Sequence, residues 1–176
     1  MAIAQRLILI IFCVGFSYSQ RIPVALFEPV VITSEQQYRI DVLDSLADKS
    51  VGQQHELALL YASTRAFEQS FDILSSLAEE DPENYDYQFM LGGIAGTLAS
   101  EVSQVKSLPY VRTMKTAFEQ AARIAPDSLT IQLVLLELYT ELPWVLGGSN
   151  KKANKALSAV QSLSTIEGFL AAGYYY

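Results

Sequence analysis

Cysteine is almost absent from this chain of 176 residues, since its one cysteine, Cys13, lies near the N-terminus. Residues 20–176 can therefore form neither a disulfide nor a thiolate metal site, and packing must hold them together. Positive charge is also scarce, with 12 Lys and Arg residues against 19 Asp and Glu residues. The formal net charge of −7 makes nucleic acid a poor partner, because such a chain repels phosphate.

Long apolar runs are missing as well. Residues 7–16 (LILIIFCVGF) form an apolar run of about ten residues, whereas a membrane-spanning helix needs roughly 20. Arg6 precedes this run and Ser19 follows it, which is typical of a secretory signal peptide over residues 1–19, with a buried helix as the alternative. We therefore expect a periplasmic or secreted protein with no membrane span after cleavage. The residues before Cys13 disfavour a lipid anchor there, because they are large.

Motifs for catalysis or cofactor binding are lacking too. The chain has a single histidine and no zinc, EF-hand, phosphate-loop or dinucleotide pattern. No nucleophile elbow is present either. We expect no catalytic residue, no metal site and no cofactor, and hence a protein that is not an enzyme.

What is present is helical periodicity. Hydrophobic residues make up 51% of the chain, and after residue 33 they recur at helical spacing, which predicts an all-α fold over 34–176. Residues 20–33 contain Pro23 and Pro29 and predict an extended lead-in. Ser34 and Gln37 have capping-box spacing before a helix at about 35–48 with Tyr38 on its apolar side. Further helices are predicted at about 67–80, 86–106, 128–142 and 151–163, and Pro109 is predicted in the first turn of another.

Two of these helices end at a proline, and similar residue types precede each proline at equal distances. The two sets are Ser70, Leu74 and Leu77 before Pro82, and Met114, Phe118 and Ala121 before Pro126. This spacing predicts an internal repeat. Small residues such as Gly92, Ala121 and Ala153 are expected to let neighbouring helices approach closely.

The pattern resembles the tetratricopeptide repeat (TPR) family, in the form of an exported bacterial protein. The family repeat has 34 residues in two antiparallel helices, A and B. Residues 51–84 match without gaps, residues 85–128 need about ten extra residues between the helices, and residues 129–167 need about five. The matching positions are Leu57, Ala58, Tyr61, Phe67, Ser70, Leu74, Leu77, Pro82, Leu91, Gly92, Met114, Phe118, Ala121, Pro126, Leu135, Leu136, Tyr139, Ala153, Leu157 and Val160.

The resemblance implies a right-handed α-solenoid of about three repeats with an N-terminal helix, and an irregular helical bundle is the alternative. Residues 168–176 look like the start of a further helix rather than a polar cap. We therefore expect either a part of a longer array, or contacts of Tyr174, Tyr175 and Tyr176 with a partner, including self-association.

The resemblance also implies a concave groove lined by helices A, which binds a protein or peptide. The groove positions carried over are His55, Leu59, Ser63, Asp86, Phe89, Gly93, Thr97, Leu133, Glu137, Thr140 and Glu141. The family's carboxylate-binding versions use Lys, Arg and Asn here, so the C-terminus of a chaperone is not the expected ligand. These residues could equally be solvated without any partner.

A second candidate region is the segment LPWVLGGSNKKANKA, residues 142–156. Gly147 and Gly148 can form a turn with positive φ, and Ser149 or Asn150 can cap the following helix. Lys151 and Lys152 fall in its first turn, where the helix dipole disfavours cations, so a weak anion site is one interpretation. Trp144 is expected either to plug the joint between the helices or to contact a ligand.

The leading functional hypothesis is a scaffold that binds protein through the groove formed by helices A. The alternative is an accessory transport protein that carries a small molecule between its helical hairpins near Trp144.

Overall fold

The computed structural model describes residues 33–175, which form α-helices and one short 3₁₀ helix and no strand. The helices are α1 (Ser34–Ser45), α2 (Val51–Ser63), α3 (Phe67–Glu80), α4 (Tyr85–Glu101), α5 (Gln104–Ile124), α6 (Leu129–Glu141), a 3₁₀ helix (Trp144–Leu146), α7 (Asn150–Leu163) and α8 (Thr165–Tyr175). The all-α prediction is confirmed. None of the helices in this range is long and apolar enough to cross a membrane. The predicted signal peptide, most of the lead-in and Tyr176 lie outside the described residues.

Each helix packs mainly against the helix before it and the helix after it. Because the connecting turns are short, consecutive helices run in opposite directions. The buried side chains form three cores in succession along the chain: one between α1 and α2, one across α2 to α5, and one across α5 to α8. Leu43, Leu74 and Ile131, at the centres of these three cores, are fully buried.

The turns before α4 and α6 have nearly the same structure. Asp81 and Ala125 have φ, ψ of −130°, 81° and −125°, 71°, and the helix N-caps that follow also agree closely. In both turns a buried glutamine, six residues after the proline, donates a side-chain hydrogen bond to the proline carbonyl. The Gln88 Nε2–Pro82 O distance is 3.3 Å and the Gln132 Nε2–Pro126 O distance is 2.9 Å. These bonds satisfy the side-chain amides of the two glutamines, which would otherwise be costly to bury.

Small residues lie where helices approach each other, as expected. A Cβ atom built on Gly92 would lie 2.6 Å from the ring of Phe118, so α4 and α5 touch through the bare glycine backbone. Ala121 and Ala153 are fully buried. Ser70, at another small position, donates its buried hydroxyl to the carbonyl of Ala58 and so links α3 to α2.

The boundary between α4 and α5 differs from the prediction. α4 ends at Glu101 instead of continuing to residue 106, and α5 begins at Gln104, so that Pro109 lies inside it rather than in its first turn. Val105 is therefore exposed instead of lying on the buried side of α4. The prediction missed the break at Val102 because no glycine or proline marks it. Pro109 is tolerated inside α5 because a proline five residues after the first residue of a helix removes only one hydrogen bond near the helix start.

The first helix is also shifted. The capping box uses Thr33 and Gln36 instead of Ser34 and Gln37, and the helix ends at Ser45 rather than at residue 48. Tyr38 is exposed, whereas Ile40 and Leu43 form the buried side. Thr33 and Ser34 can each act as the N-cap of α1. The packing of Ile40 in the core selects Thr33.

We expect Gly92→Ala to lower the free energy of unfolding by about 1–3 kcal/mol, because the new methyl group overlaps the ring of Phe118. Urea unfolding followed by circular dichroism measures the change. Gly52→Ala is the matched control, since nothing lies within 4 Å of a Cβ atom there. That change should stabilise the chain by about 0.5–1 kcal/mol. Equal effects of both substitutions would contradict the close approach of α4 and α5.

Candidate functional site: the helix A surface and the α6–α7 joint

The first groove positions are already engaged within the protein. His55 on α2 meets Tyr87 of α4 edge to face, with 5.0 Å between the ring centroids. Its Nε2 atom is buried and has no hydrogen-bond partner among the described residues. His55 therefore belongs to the contact between α2 and α4.

Phe89 is part of an aromatic cluster that joins α4 to α5. Its ring stacks on Tyr85 at 5.6 Å with an interplanar angle of 13°, and it meets Phe118 at 5.9 Å. The hydroxyl of Tyr85 in turn lies 3.3 Å from that of Ser128. Phe89 is only half-buried, so it can support a ligand from the side, but its main contacts are with its own protein.

The remaining positions are less distinctive. Asp86 is exposed in the first turn of α4, and Leu133 is half-buried against the last core. The hydroxyls of Thr97 and Thr140 donate to carbonyls one turn earlier in their own helices, those of Gly93 and Leu136. Of these residues, only Asp86 presents a polar side chain without a hydrogen bond or ion pair within residues 33–175.

The structure brings together Glu137, Glu141 and Tyr174 at the end of α6 that faces α8. Glu141 lies one turn after Glu137, and its Oε1 atom accepts a hydrogen bond from the hydroxyl of Tyr174. Glu137 has no hydrogen bond or ion pair within residues 33–175. Desolvation raises the pKa of Glu137 to about 7, and the negative charge of Glu141 adds to this effect. Such a carboxylate lacks a cation, and a Lys or Arg side chain from a partner would supply one.

The joint between α6 and α7 depends on its two glycines. Gly147 has a φ of 107°, as the sequence suggested, whereas Gly148 serves another purpose. A Cβ atom on Gly148 would lie 1.7 Å from the carbonyl oxygen of Leu142, so the backbone returns too closely for any side chain. Ser149 caps α7 by accepting from the amide of Lys152, and its own amide donates to the carbonyl of Tyr139.

Lys152 is neutralised from within the protein. Its Nζ atom lies 2.8 Å from Oε1 of Glu119 and 5.0 Å from the ring centre of Tyr139. The hydroxyl of Tyr139 donates to the same carboxylate at 2.8 Å, and Lys115 lies 3.7 Å away. Burial opposes the ionisation of Glu119, but these bonds and charges outweigh it and lower its pKa. Lys152 is therefore already paired and does not support an anion site at the start of α7. Lys151 is exposed and has no ion pair within residues 33–175.

Trp144 does not plug the joint. Its side chain is 85% exposed, and Val145 beside it is also exposed. This position rules out the expectation that Trp144 fills the joint. It is compatible with the other expectation, contact with a ligand outside residues 33–175.

No protein-family model matches the chain, and no curated protein is similar to it. Within residues 33–175, no group of three or more His, Cys, Asp or Glu side chains is placed to hold a metal ion. The case for function therefore depends on the geometry of the chain itself.

Tyr174 was expected to contact a partner, but its hydroxyl bonds to Glu141 of its own chain. Glu119 and Gln88 were not among the predicted site residues. Gln88 repeats at Gln132 with the same offset from a proline, and this repetition was a visible signal in the sequence. Glu119, which joins α5 to both α6 and α7, gave no such signal, because its partners are distant along the chain.

We expect the stability of the protein to fall as the pH rises from about 4.5 to about 7, because folded Glu137 keeps a proton that the unfolded chain has released. Glu137→Gln removes this dependence and should raise the free energy of unfolding at pH 8 by about 1–3 kcal/mol. Urea unfolding at pH 5 and pH 8 measures both effects. The exposed Glu79→Gln is the control and should change little. A variant with the same pH dependence as the wild type would contradict this placement of Glu137.

Glu119 changes the stability with pH in the opposite direction, because its pKa is lowered. Its stabilising contribution is present above its ordinary pKa and disappears as the pH falls through the folded value. Glu119→Gln should therefore lower the free energy of unfolding by about 1 kcal/mol at pH 7 and by less at pH 3. Chemical unfolding at the two pH values tests this difference. An equal loss at both would show that the ion pair with Lys152 adds nothing.

Proposed function

We propose that the chain is an exported TPR-like scaffold, in which α2, α4 and α6 are helices A and present a concave surface to a protein partner. The nearly identical turns before α4 and α6, each with its buried glutamine, support a structural repeat. Packing mainly between consecutive helices supports stacking of hairpins. The close approach at Gly92 is of the kind that such stacking requires.

The observation that carries the binding proposal is the unpaired carboxylate of Glu137. A partly buried carboxylate next to a second one costs stability, because both desolvation and repulsion oppose its charge. A basic side chain bound between Glu137 and Glu141 removes that cost. The half-buried Phe89 and Leu133, on the same set of helices, offer apolar contact beside it. The preferred partner is therefore a segment with a Lys or Arg residue next to apolar residues.

The carrier alternative has less support. It places a small ligand near Trp144, but this side chain is 85% exposed. Native mass spectrometry of the purified chain would reveal a ligand that co-purifies with it.

The test is selection from a random peptide library displayed on phage. We expect selected peptides to contain a basic residue and to lose binding to the double variant Glu137→Lys/Glu141→Lys, because the reversed charges repel it. Affinity should also drop about tenfold from pH 8 to pH 6, because Glu137 must lose a proton to bind the cation.

The matched control is Glu79→Lys/Glu80→Lys, which reverses two exposed charges at the end of α3. It should bind the selected peptides as the wild type does, and circular dichroism should show unchanged helix content in both variants. Peptides without a basic residue, or equal binding to both double variants, would refute the proposed groove.

A further inference from the structure

The joints between helices alternate between two ends of the array. We call one end the tip edge, which is formed by the joints at residues 64–66, 102–103 and 142–149. The other end holds the joints at residues 46–50, 81–84, 125–128 and 164. Contacts with α5 place the α6–α7 joint beside the middle of that helix, so the first turns of α5 lie between this joint and the joint at residues 102–103. A Cβ atom on Gly147 would lie 2.5 Å from Cε of Lys115, and Lys152 pairs with Glu119.

Apolar side chains project from the tip edge. Trp144 is 85% exposed and Val105 is 80% exposed, and Leu108 and Val145 are exposed beside them. Exposed tryptophan of this degree is unusual for a residue with no role, because burying its ring would release more free energy than burying most other side chains. The four residues lie on two separate tips instead of lining one hollow.

The exposed charged side chains of the tip edge are mainly basic. Lys106, Arg112 and Lys151 are exposed, and none of them forms an ion pair or a side-chain hydrogen bond within residues 33–175. Glu101 is exposed at the end of α4, whereas Glu137 and Glu141, in the last turns of α6, are half-buried. The opposite end is rich in exposed carboxylates, including Glu79, Glu80, Asp81, Glu83 and Asp127. A chain with a net charge of −7 thus turns a basic and apolar edge outward.

We propose that the tip edge binds the surface of an anionic lipid bilayer, with Trp144 and Val145 at the depth of the headgroups and the three cations beside lipid phosphates. Tryptophan favours this interface because one side of its ring is apolar while its N–H needs a polar partner. Basic residues gain about 1 kcal/mol each near an anionic membrane surface.

A bilayer fits this edge better than a protein partner does. Protein interfaces usually place aromatic residues in pockets within a continuous patch. Here single side chains protrude from separate turns. The headgroup region of a bilayer can accept them because it needs no complementary shape. The proposal uses exposed side chains of the joints and of α5, whereas the groove proposal uses Glu137 and Glu141 on α6, so separate variants test the two.

Trp144 provides the test, because it is the only tryptophan of the chain. Its emission should shift to shorter wavelength when the protein is added to phosphatidylcholine vesicles with about 30% phosphatidylglycerol, and it should barely shift with phosphatidylcholine alone. About 0.5 M NaCl should reverse most of the shift through screening. Since the first 32 residues contain no tryptophan, binding through them would not produce the signal.

Variants give the matched comparison in a vesicle sedimentation assay. Lys106→Gln, Arg112→Gln and Lys151→Gln should each reduce partitioning about fivefold, and Trp144→Ser/Val145→Ser should reduce it at least about tenfold. Ile166→Ser/Phe169→Ser removes equally exposed apolar side chains from α8 and should leave the Trp144 shift unchanged.

Two results would overturn the proposal. One is sedimentation with vesicles while the emission of Trp144 stays unchanged. The other is a shift that appears on raising the protein concentration without lipid, because the tip edge would then be a protein interface.

Discussion

The hydrogen bonds from Gln88 and Gln132 to proline carbonyls fix the two turns on which the arrangement of helices depends. Each proline ends a helix, and each glutamine then holds the start of the next helix against that end. A buried glutamine amide without this bond would cost roughly 1–3 kcal/mol, so few alternative directions remain for the next helix. The direction of α4 places Phe89 against Phe118, and the direction of α6 places Tyr139 beside Glu119.

Once α6 is placed, the last third of the molecule follows. Tyr139 and Lys152 converge on one carboxylate of α5, which fixes the α6–α7 joint against that helix. The two glycines of this joint allow the backbone to turn within the remaining space. The same turn leaves Trp144 outside, because the chain closes beneath it through Gly148 and the carbonyl of Pro143. Exposure of Trp144 is therefore a consequence of tight packing of the backbone around the joint.

The helical class, the two helix ends next to Pro82 and Pro126, and the small residues at helix contacts could be predicted from the sequence. They could be predicted because they follow from local propensity and periodicity. It failed at Val102, where a helix ends without glycine or proline, and at Thr33, where two cap registers compete. For the candidate site it identified Glu137 and Glu141, but only through the resemblance to a repeat family. It could not supply Glu119, or the bond of Tyr174 to Glu141, since bonds between residues about 20–40 positions apart have no local pattern. Phe89 was predicted to line the groove, but its ring packs on Tyr85 and Phe118, and such neighbours are set by tertiary packing.

Lys152 at the start of α7 and Glu137 near the end of α6 are both charged residues in unfavourable places, but the protein compensates for only one of them. Lys152 stands where the helix dipole is unfavourable, but Glu119 and the ring of Tyr139 compensate for it within the molecule. Glu137 is also in an unfavourable place, and nothing in residues 33–175 compensates for it. A glutamine or leucine would serve folding better at that position. A charge that folding does not need and packing does not neutralise indicates a requirement outside the folded chain. For Glu137, the basic group of the proposed partner would meet that requirement.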